Sequence, residues 1–223
     1  MEENLCYNLE FLDPNLSKFT VESPSETTIS KYANMADLYE NNILSWGYMG
    51  HYFTRDALLE LQLDKHSRIL DVLAGTGLLG MEIKEFGYEN VDSLDGCAEM
   101  LEKAKEKGIY KRYFISLLGE GHTLPIQDDT YDVVIMSGAI GKCHIYPSSS
   151  FPELIRVSKP GGFIVFPVRT DLMDDGKYVG GNFTTDLGIF EKAGILRNVR
   201  EPKFYEGYFK GIDCFTYIMK VLK

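Results

Sequence analysis

Short runs of apolar residues recur along the chain, and stretches with helical spacing separate them. The runs at residues 69–72, 91–94, 113–117, 131–136 and 163–168 are short and nearly continuous, which is typical of buried parallel strands. Residues 205–209 and 214–221 alternate in polarity, which predicts two strands that finish antiparallel. The pattern therefore predicts an α/β fold with a doubly wound, mostly parallel sheet of seven strands and an antiparallel last strand.

Helical spacing fills the intervals between these runs. The predicted helices cover residues 28–39, 53–63, 79–86, 98–107, 152–157 and 184–193. Residues 169–183 are polar and rich in glycine, and they predict a loop or a short helix over a pocket. Residues 1–27 carry Pro14, Pro24 and several Ser and Thr, which predicts a mobile arm. Residues 28–223 are then expected to form a single domain.

The first predicted strand leads into a loop of small residues at positions 74–77. Small residues let the backbone turn sharply and approach a ligand closely. A helix follows at once, so strand, loop and helix N-terminus form a nucleotide-binding turn of Rossmann-like type. Asp71 ends the buried strand, where a carboxylate needs hydrogen-bond donors or a cation. Such a carboxylate would repel a pyrophosphate and attract a sulfonium or ammonium group.

Asp95 follows the second predicted strand, 18 residues after Gly77 (95 − 77). A doubly wound fold places an acid here to accept the ribose hydroxyls of a bound nucleotide. The alternative role is that of an acid at the N-terminus of the next helix. Since Gly75-x-Gly77-x-x-Gly80 and Asp95 also fit a dinucleotide site, an NAD-dependent oxidoreductase is an alternative function. Ser137 and Gly138 end the fourth strand, at the sheet edge where such folds bind ligands.

Three segments, in this order, resemble class I S-adenosylmethionine-dependent methyltransferases. They are Asp71-x-x-x-Gly75-x-Gly77, the run Gly-Glu-Gly-His-Thr-Leu-Pro-Ile with its continuation over residues 119–135, and Glu-Leu-Ile-Arg-Val-Ser-Lys-Pro-Gly-Gly at residues 153–162. The order of elements is similar to that family from about residue 31 to residue 223. One departure is Leu73, which stands where the family usually has glycine and is expected to narrow the cofactor pocket.

The resemblance implies a site for S-adenosyl-L-methionine. Together with the loop positions above, it assigns cofactor binding to Tyr39, Asp71, Ala74, Gly75, Gly77, Asp95, Gly96, Glu120, Gly121, Ser137 and Gly138. In the family pattern the Glu120 carboxylate takes the adenine amino group, and the Gly121 N–H takes a ring nitrogen. Glutamate in place of the usual aspartate moves that acceptor outward by one methylene. Residues 28–63 are implied to be a helical lid, although an aromatic face packed on the domain fits the same pattern.

The family reaction is an in-line displacement, in which the enzyme mainly aligns the nucleophile, the methyl group and the sulfur. A base is needed only when the nucleophile carries a proton that must leave. His144, just after the fourth strand, and His51, in the aromatic stretch at residues 41–52, are the candidate catalytic residues. The alternative for each is a hydrogen-bonded structural histidine.

A small-molecule acceptor with an oxygen, nitrogen or carbon nucleophile is expected. The fourth strand ends in Ser-Gly-Ala-Ile at residues 137–140, without the Asn/Asp-Pro-Pro-Tyr or Pro-Cys signatures of base methylation. The net charge of −10 argues against nucleic acid as a partner. No large second domain is expected that would grip a protein substrate. A non-catalytic module that binds the cofactor and acts through a protein partner is a third interpretation.

The cysteines Cys6, Cys97, Cys143 and Cys214 lack paired spacing, which predicts free thiols and no metal site. No apolar run approaches the ~20 residues that a membrane span needs. The acidic start of the chain has no apolar stretch of the secretory kind. These features predict a cytoplasmic protein without a membrane partner, and they leave its oligomeric state open.

Overall fold

The structure is a computed structural model that describes residues 26–119, 121–141, 145–173 and 183–223. Its helices are α1 (Glu26–Met35), α2 (Tyr39–Ser45), α3 (Gly50–Glu60), α4 (Leu78–Glu85), α5 (Ala98–Glu106), α6 (Pro147–Val157) and α7 (Phe183–Lys192). Its strands are β1 (Ile69–Val72), β2 (Val91–Asp95), β3 (Tyr113–Ile115), β4 (Tyr131–Met136), β5 (Ser158–Arg169), β6 (Leu196–Asn198), β7 (Lys203–Phe209) and β8 (Ile212–Val221). A 3-10 helix, Thr170–Leu172, follows β5.

The strands form one mixed sheet in the order β3-β2-β1-β4-β5-β8-β6, and β7 also pairs with β8. The pairs from β3 to β5 are parallel, whereas β8 is antiparallel to β5, β6 and β7. β6 and β7 share one edge of β8, since Leu196 pairs with Val221 and Lys203 pairs with Thr216. The predicted doubly wound Rossmann-like fold is confirmed, with one refinement. Its last sheet position is split between two strands, and β6 has only three residues.

The central strands are buried on both faces. Leu70 and Val134 belong to one apolar layer, which α6 and α7 cover. Ile69 and Val133 belong to the opposite layer, which α3 and α4 cover. Burial on both faces explains why these strands read as continuous apolar runs in the sequence. Within the four described ranges, no helix has both the length and the apolarity to cross a bilayer.

The N-terminal helices differ from the prediction of one helix over residues 28–39. α1 ends at Met35, whose carbonyl accepts a hydrogen bond from the Leu38 N–H at 3.0 Å, and α2 begins at Tyr39. The apolar face of α1 packs on Cys97 and Met100 of the body. Ala36 in the turn and Tyr39 of α2 continue this packing, although no residue of α2 is fully buried. The predicted arm at residues 1–27 lies outside the described residues, apart from the first two residues of α1.

β5 begins earlier than predicted. It runs from Ser158, so the Lys-Pro-Gly-Gly segment that was expected to be a turn lies within the strand. There the register with β4 shifts, since Tyr131 pairs with Ser158 but Val133 pairs with Phe163. Gly161 has a φ of +78°, which favours glycine. The predicted loop at 169–183 contains the 3-10 helix, and residues 174–182 lie outside the described ranges.

Candidate active site

Two adjoining cavities lie at the carboxyl edge of the parallel strands. The larger, of about 610 Å³, is walled by α1, by α2 and by the segments that follow β1 to β4. The smaller, of about 350 Å³, lies between the glycine loop and the segment around α3. Tyr39, Leu73, Gly75 and Ser137 line both cavities, which therefore adjoin. This edge is where open parallel sheets bind ligands.

Leu73 carries the departure from the family pattern. Its φ is +53°, in the left-handed region that glycine adopts freely and a leucine adopts only under strain. The glycine loop thus keeps a glycine-type backbone although the residue is leucine. The side chain packs partly against the core and lines both cavities, which agrees with the expected narrowing of the pocket.

Asp95 lies in the wall of the larger cavity and is buried. Its Oδ2 accepts a hydrogen bond from the Gly75 N–H at 2.8 Å, and its Oδ1 accepts one from the Cys97 N–H at 2.8 Å. Burial raises the pKa of this carboxyl, and the backbone N–H groups of Cys97, Gly75 and Gly96 oppose that rise. Asp95 therefore satisfies a donor at the start of α5 and also stands beside the larger cavity, and its role toward a ribose stays a prediction. A carboxylate has about four acceptor positions, so capacity for ligand hydroxyls is left.

Asp71 lies behind the glycine loop and lines the smaller cavity. Its Oδ2 accepts a hydrogen bond from the Tyr110 hydroxyl at 2.6 Å. Burial raises the pKa of Asp71 to about 7, the Tyr110 bond opposes that rise, and the charge of Asp95 adds to it. A Cβ at Gly80 would stand 2.3 Å from the Tyr110 hydroxyl oxygen. The third glycine of the loop therefore makes room for Tyr110, which is a structural reason for the pattern shared with dinucleotide sites.

His51 and Thr76 bring unsatisfied polar atoms to the smaller cavity. Each residue is 2% exposed, and neither the His51 Nδ1 nor the Thr76 Oγ1 has a hydrogen-bond partner among the described residues. The His51 ring stacks on Tyr48, with centroids 5.3 Å apart. Burial, followed by the charge of Arg55, lowers the pKa of His51 to about 4, so its imidazole is neutral at pH 7. Buried polar atoms without partners mark a place where a ligand can supply them.

Ser137 and Gly138 follow the last residue of β4 and lie beside two tyrosines. The Ser137 Oγ lies 2.5 Å from the Tyr48 hydroxyl oxygen. A Cβ at Gly138 would stand 3.0 Å from the Tyr48 hydroxyl and 3.7 Å from that of Tyr208. Burial raises the pKa of both tyrosines, so both hydroxyls stay protonated near pH 7. Sequence reasoning noted Tyr48 only as part of an aromatic stretch and missed Tyr208, which β7 carries.

The remaining predicted residues fall into three groups. Ala74 lines the smaller cavity and Gly96 the larger. Gly77 lines neither, because it is the left-handed N-cap of α4 with a φ of +88°. Gly121 also lines neither, and it borders a separate open depression instead. Glu120 and His144 lie outside the described residues.

The cysteines that the structure describes agree with the expected free thiols. Cys97 and Cys214 are free and buried. Cys6 and Cys143 lie outside the described residues. Neither described thiol lines either cavity.

Comparison with known proteins decides the class of this site. Residues 70–166 match the family described as the methyltransferase domain. This stretch is therefore similar to a class I methyltransferase domain. S-adenosylmethionine is the cofactor of that class, so the resemblance and the cofactor predicted from the motifs are confirmed. The comparisons support this class over the alternative of an NAD-dependent oxidoreductase.

Two curated relatives extend the match beyond the methyltransferase domain. The chain is 34% identical over 142 residues to methyltransferase-like protein 27 of Homo sapiens, covering 63% of this chain and 57% of that protein. It is 27% identical over 149 residues to demethylmenaquinone methyltransferase of Corynebacterium efficiens, covering 66% and 61%. The chain thus spans about three fifths of the length of these relatives.

A solved structure agrees with the fold of the methyltransferase domain. The S-adenosylmethionine-dependent methyltransferase of Aquifex aeolicus superimposes with a TM-score of 0.54 at 22% identity, covering 87% of this chain and 98% of that one. At this identity the likeness concerns the fold alone.

Proposed function

We propose that this chain is a methyltransferase that moves the methyl group of S-adenosylmethionine to an oxygen, nitrogen or carbon atom of a small molecule. The observation that carries the proposal is the pair of adjoining cavities around the glycine loop, of which one is mainly apolar and the other is lined by polar and apolar groups alike. The cofactor has the same division, with a flat nucleoside at one end and a charged amino acid at the other.

The larger cavity fits the nucleoside end. Ile29, Met100 and Leu118 offer apolar surface to a base, and Asp95 offers carboxylate oxygens to ribose hydroxyls. Asp95 stands beside the Gly75 N–H, so its position is fixed by the loop and not by a free rotamer. We propose that Asp95 and Gly96 hold the ribose and that the residues after β3 face the base.

The smaller cavity fits the amino-acid end. It offers the Asp71 carboxyl together with the His51 Nδ1 and the Thr76 Oγ1, which have no hydrogen-bond partner within the described part of the chain. A cationic group next to Asp71 would favour its ionised form, which lowers a pKa that burial has raised. We propose that His51 binds and orients the ligand here. With a pKa of about 4, the His51 imidazole is a weak base at pH 7. We therefore propose His144 as the base when one is needed.

S-adenosylmethionine, when bound, supplies an electrophilic methyl group on a sulfonium. The residues of this chain then have the task of alignment. Ser137 stands at the junction of the two cavities, and its bond to Tyr48 fixes the wall on the side of β4. We propose that Tyr48 borders the acceptor at this point, and that Tyr208 positions Tyr48, since their ring centroids lie 5.3 Å apart.

A small-molecule acceptor agrees with the sequence and with one relative. Demethylmenaquinone methyltransferase takes its name from such an acceptor. The net charge of −10 disfavours nucleic acid as the acceptor.

A transfer assay tests the proposal. The protein is incubated with methyl-labelled S-adenosylmethionine and a panel of small quinones, phenols, carboxylic acids and amines. We expect label in at least one product, and loss of that label with Asp95→Ala. Tight binding of the cofactor without transfer to any acceptor would contradict the enzyme and support a binding module. Binding of NAD alone would contradict the cofactor as well.

A further inference from the structure

Helix α2 packs on the body through the partly buried Tyr39 and Ile43, without a fully buried side chain. We call residues 26–45, which comprise α1 and α2, the lid segment. Ile29 and Tyr32 of α1 wall the larger cavity, and Tyr39 of α2 lines both cavities. No residue of α2 is fully buried, and Leu38, just before it, is 60% exposed. Segments with few buried apolar contacts open at low free-energy cost.

Lys107 joins α2 to the glycine loop. Its ammonium donates a hydrogen bond to the Thr76 carbonyl oxygen at 2.8 Å and pairs with the Glu40 carboxylate. Glu40 is the neighbour of Tyr39, and Thr76 lies in the wall of the smaller cavity. Lys107 is the C-cap of α5, so a third element anchors the contact. One side chain thus ties together the lid segment, the glycine loop and α5.

These contacts are stronger than an ordinary surface pair. The Lys107 and Glu40 side chains are 25% and 30% exposed, so solvent screens them only in part. The carbonyl contact adds a charge-assisted hydrogen bond to the backbone of the loop. Lys103 forms a second tie to the lid segment through Asp37 at 2.6 Å, but that carboxylate is 82% exposed. The Lys107 contact is therefore the better candidate for control of the lid.

We infer that Lys107 is a positioning residue that keeps the lid segment closed on the glycine loop and so slows the exchange of S-adenosylmethionine and S-adenosylhomocysteine. The inference rests on the proposed function, since it assigns the two cavities to this cofactor. Lys107 lines neither cavity, so its effect acts through Glu40 and Thr76.

Dissociation of S-adenosylhomocysteine, followed by surface plasmon resonance, tests this role. We expect Lys107→Met to accelerate release about fivefold, because one partly screened ion pair and its carbonyl contact are lost. Glu40→Gln removes the same pair from the other side and is expected to accelerate release as well. The double variant should then be no faster than Lys107→Met, because the two side chains act as one unit.

Lys105→Met is the matched control. Lys105 lies on the same helix, and among the described residues it pairs only with Glu102 of that helix, at 3.2 Å, so the charge change is equal but the lid contact is intact. Raising the salt from about 50 mM to about 500 mM should accelerate release from the wild type and have little effect on Lys107→Met. If Lys107→Met only destabilised the fold, its melting temperature would fall, but release would still accelerate with salt.

The outcomes separate this inference from the proposed function. Equal release rates for the wild type and both lid variants would overturn the role of Lys107 while leaving the cofactor assignment intact. Equal acceleration by Lys105→Met would also overturn it. Should Lys107→Met fail to fold, Glu40→Gln carries the test alone. No binding of S-adenosylhomocysteine by the wild type would contradict the proposed function and, with it, this role.

Discussion

The two sides of the site are built differently. The proposed cofactor side is built at the ends of successive strands, such as Gly75 after β1 and Asp95 at the end of β2, which bond to each other at 2.8 Å. The proposed acceptor side joins residues far apart in the chain, such as Tyr48 and Ser137, which lie 89 positions apart and also line the smaller cavity. Local motifs determine the first side, whereas tertiary packing assembles the second. A change on one side is therefore expected to leave the other side's ligand largely unaffected.

The largest expected effect concerns Asp71 on the cofactor side. Its pKa rises from 3.8 to about 7 on folding, so between these values the folded state holds a proton that the unfolded state releases. The free energy of unfolding that depends on this group is therefore highest at low pH. It falls by up to about 4 kcal/mol as the pH rises toward 7. Asp71→Asn keeps an acceptor for Tyr110 and should remove this part of the pH dependence. Urea unfolding of the ligand-free protein at several pH values measures it, and equal slopes for both proteins would contradict the assignment.

Asp95→Ala should weaken cofactor affinity by about 1–3 kcal/mol through the loss of charge-assisted hydrogen bonds. Calorimetry with S-adenosylhomocysteine measures the loss. Asp95→Asn serves as control, because it keeps an acceptor near Gly75 and should recover part of the affinity. An unchanged affinity in Asp95→Ala would refute the ribose assignment.

On the acceptor side, Tyr208→Phe removes a hydroxyl near Gly138 and should reduce kcat/KM for the acceptor by about 1 kcal/mol. The affinity for S-adenosylhomocysteine should not change, since Tyr208 lines neither cavity. Tyr205→Phe on the same strand is the matched control, because Tyr205 lines neither cavity and is not among the residues that face Gly138. An equal loss of affinity for both ligands would show that the two sides are not separate.

The smallest expected effect concerns Leu73. Leu73→Gly relieves a left-handed backbone but loses apolar contact, whereas Leu73→Ala loses contact without relief. We expect the glycine variant to be more stable than the alanine variant by about 0.5–1 kcal/mol, the reverse of the order at an ordinary position. Thermal unfolding of both variants decides the order. An alanine variant that is the more stable of the two would show that the backbone is not strained.

The sequence predicted the parts of the fold that depend on local pattern. Strands such as β1 and β4 are buried on both faces and therefore appear as apolar runs. β6 was missed because three residues carry too little pattern. The break between α1 and α2 was missed because helical spacing and the packing on Met100 both continue through the turn, at Ala36 and Tyr39.

The candidate site divides in the same way. Asp95 and Gly75 were found because their spacing from the first strand is fixed by the fold. The neutral state of His51 was not predicted, since it depends on burial by residues distant in sequence. Tyr208 gave no signal, because it reaches the site only through the pairing of β7 with β8. Gly77 and Gly121 fit the motif, yet they serve the turns and line neither cavity.

The most direct test of the account is a thermal-shift comparison of S-adenosylmethionine, S-adenosylhomocysteine and NAD on the purified protein. A ligand that binds the folded state at about 100 times its dissociation constant adds about 2.7 kcal/mol, which a melting curve resolves. If the two cavities bind the methyl donor, both adenosyl ligands raise the melting temperature and NAD does not. Stabilisation by NAD alone, or by none of the three, would contradict the assignment of the two cavities to the methyl donor.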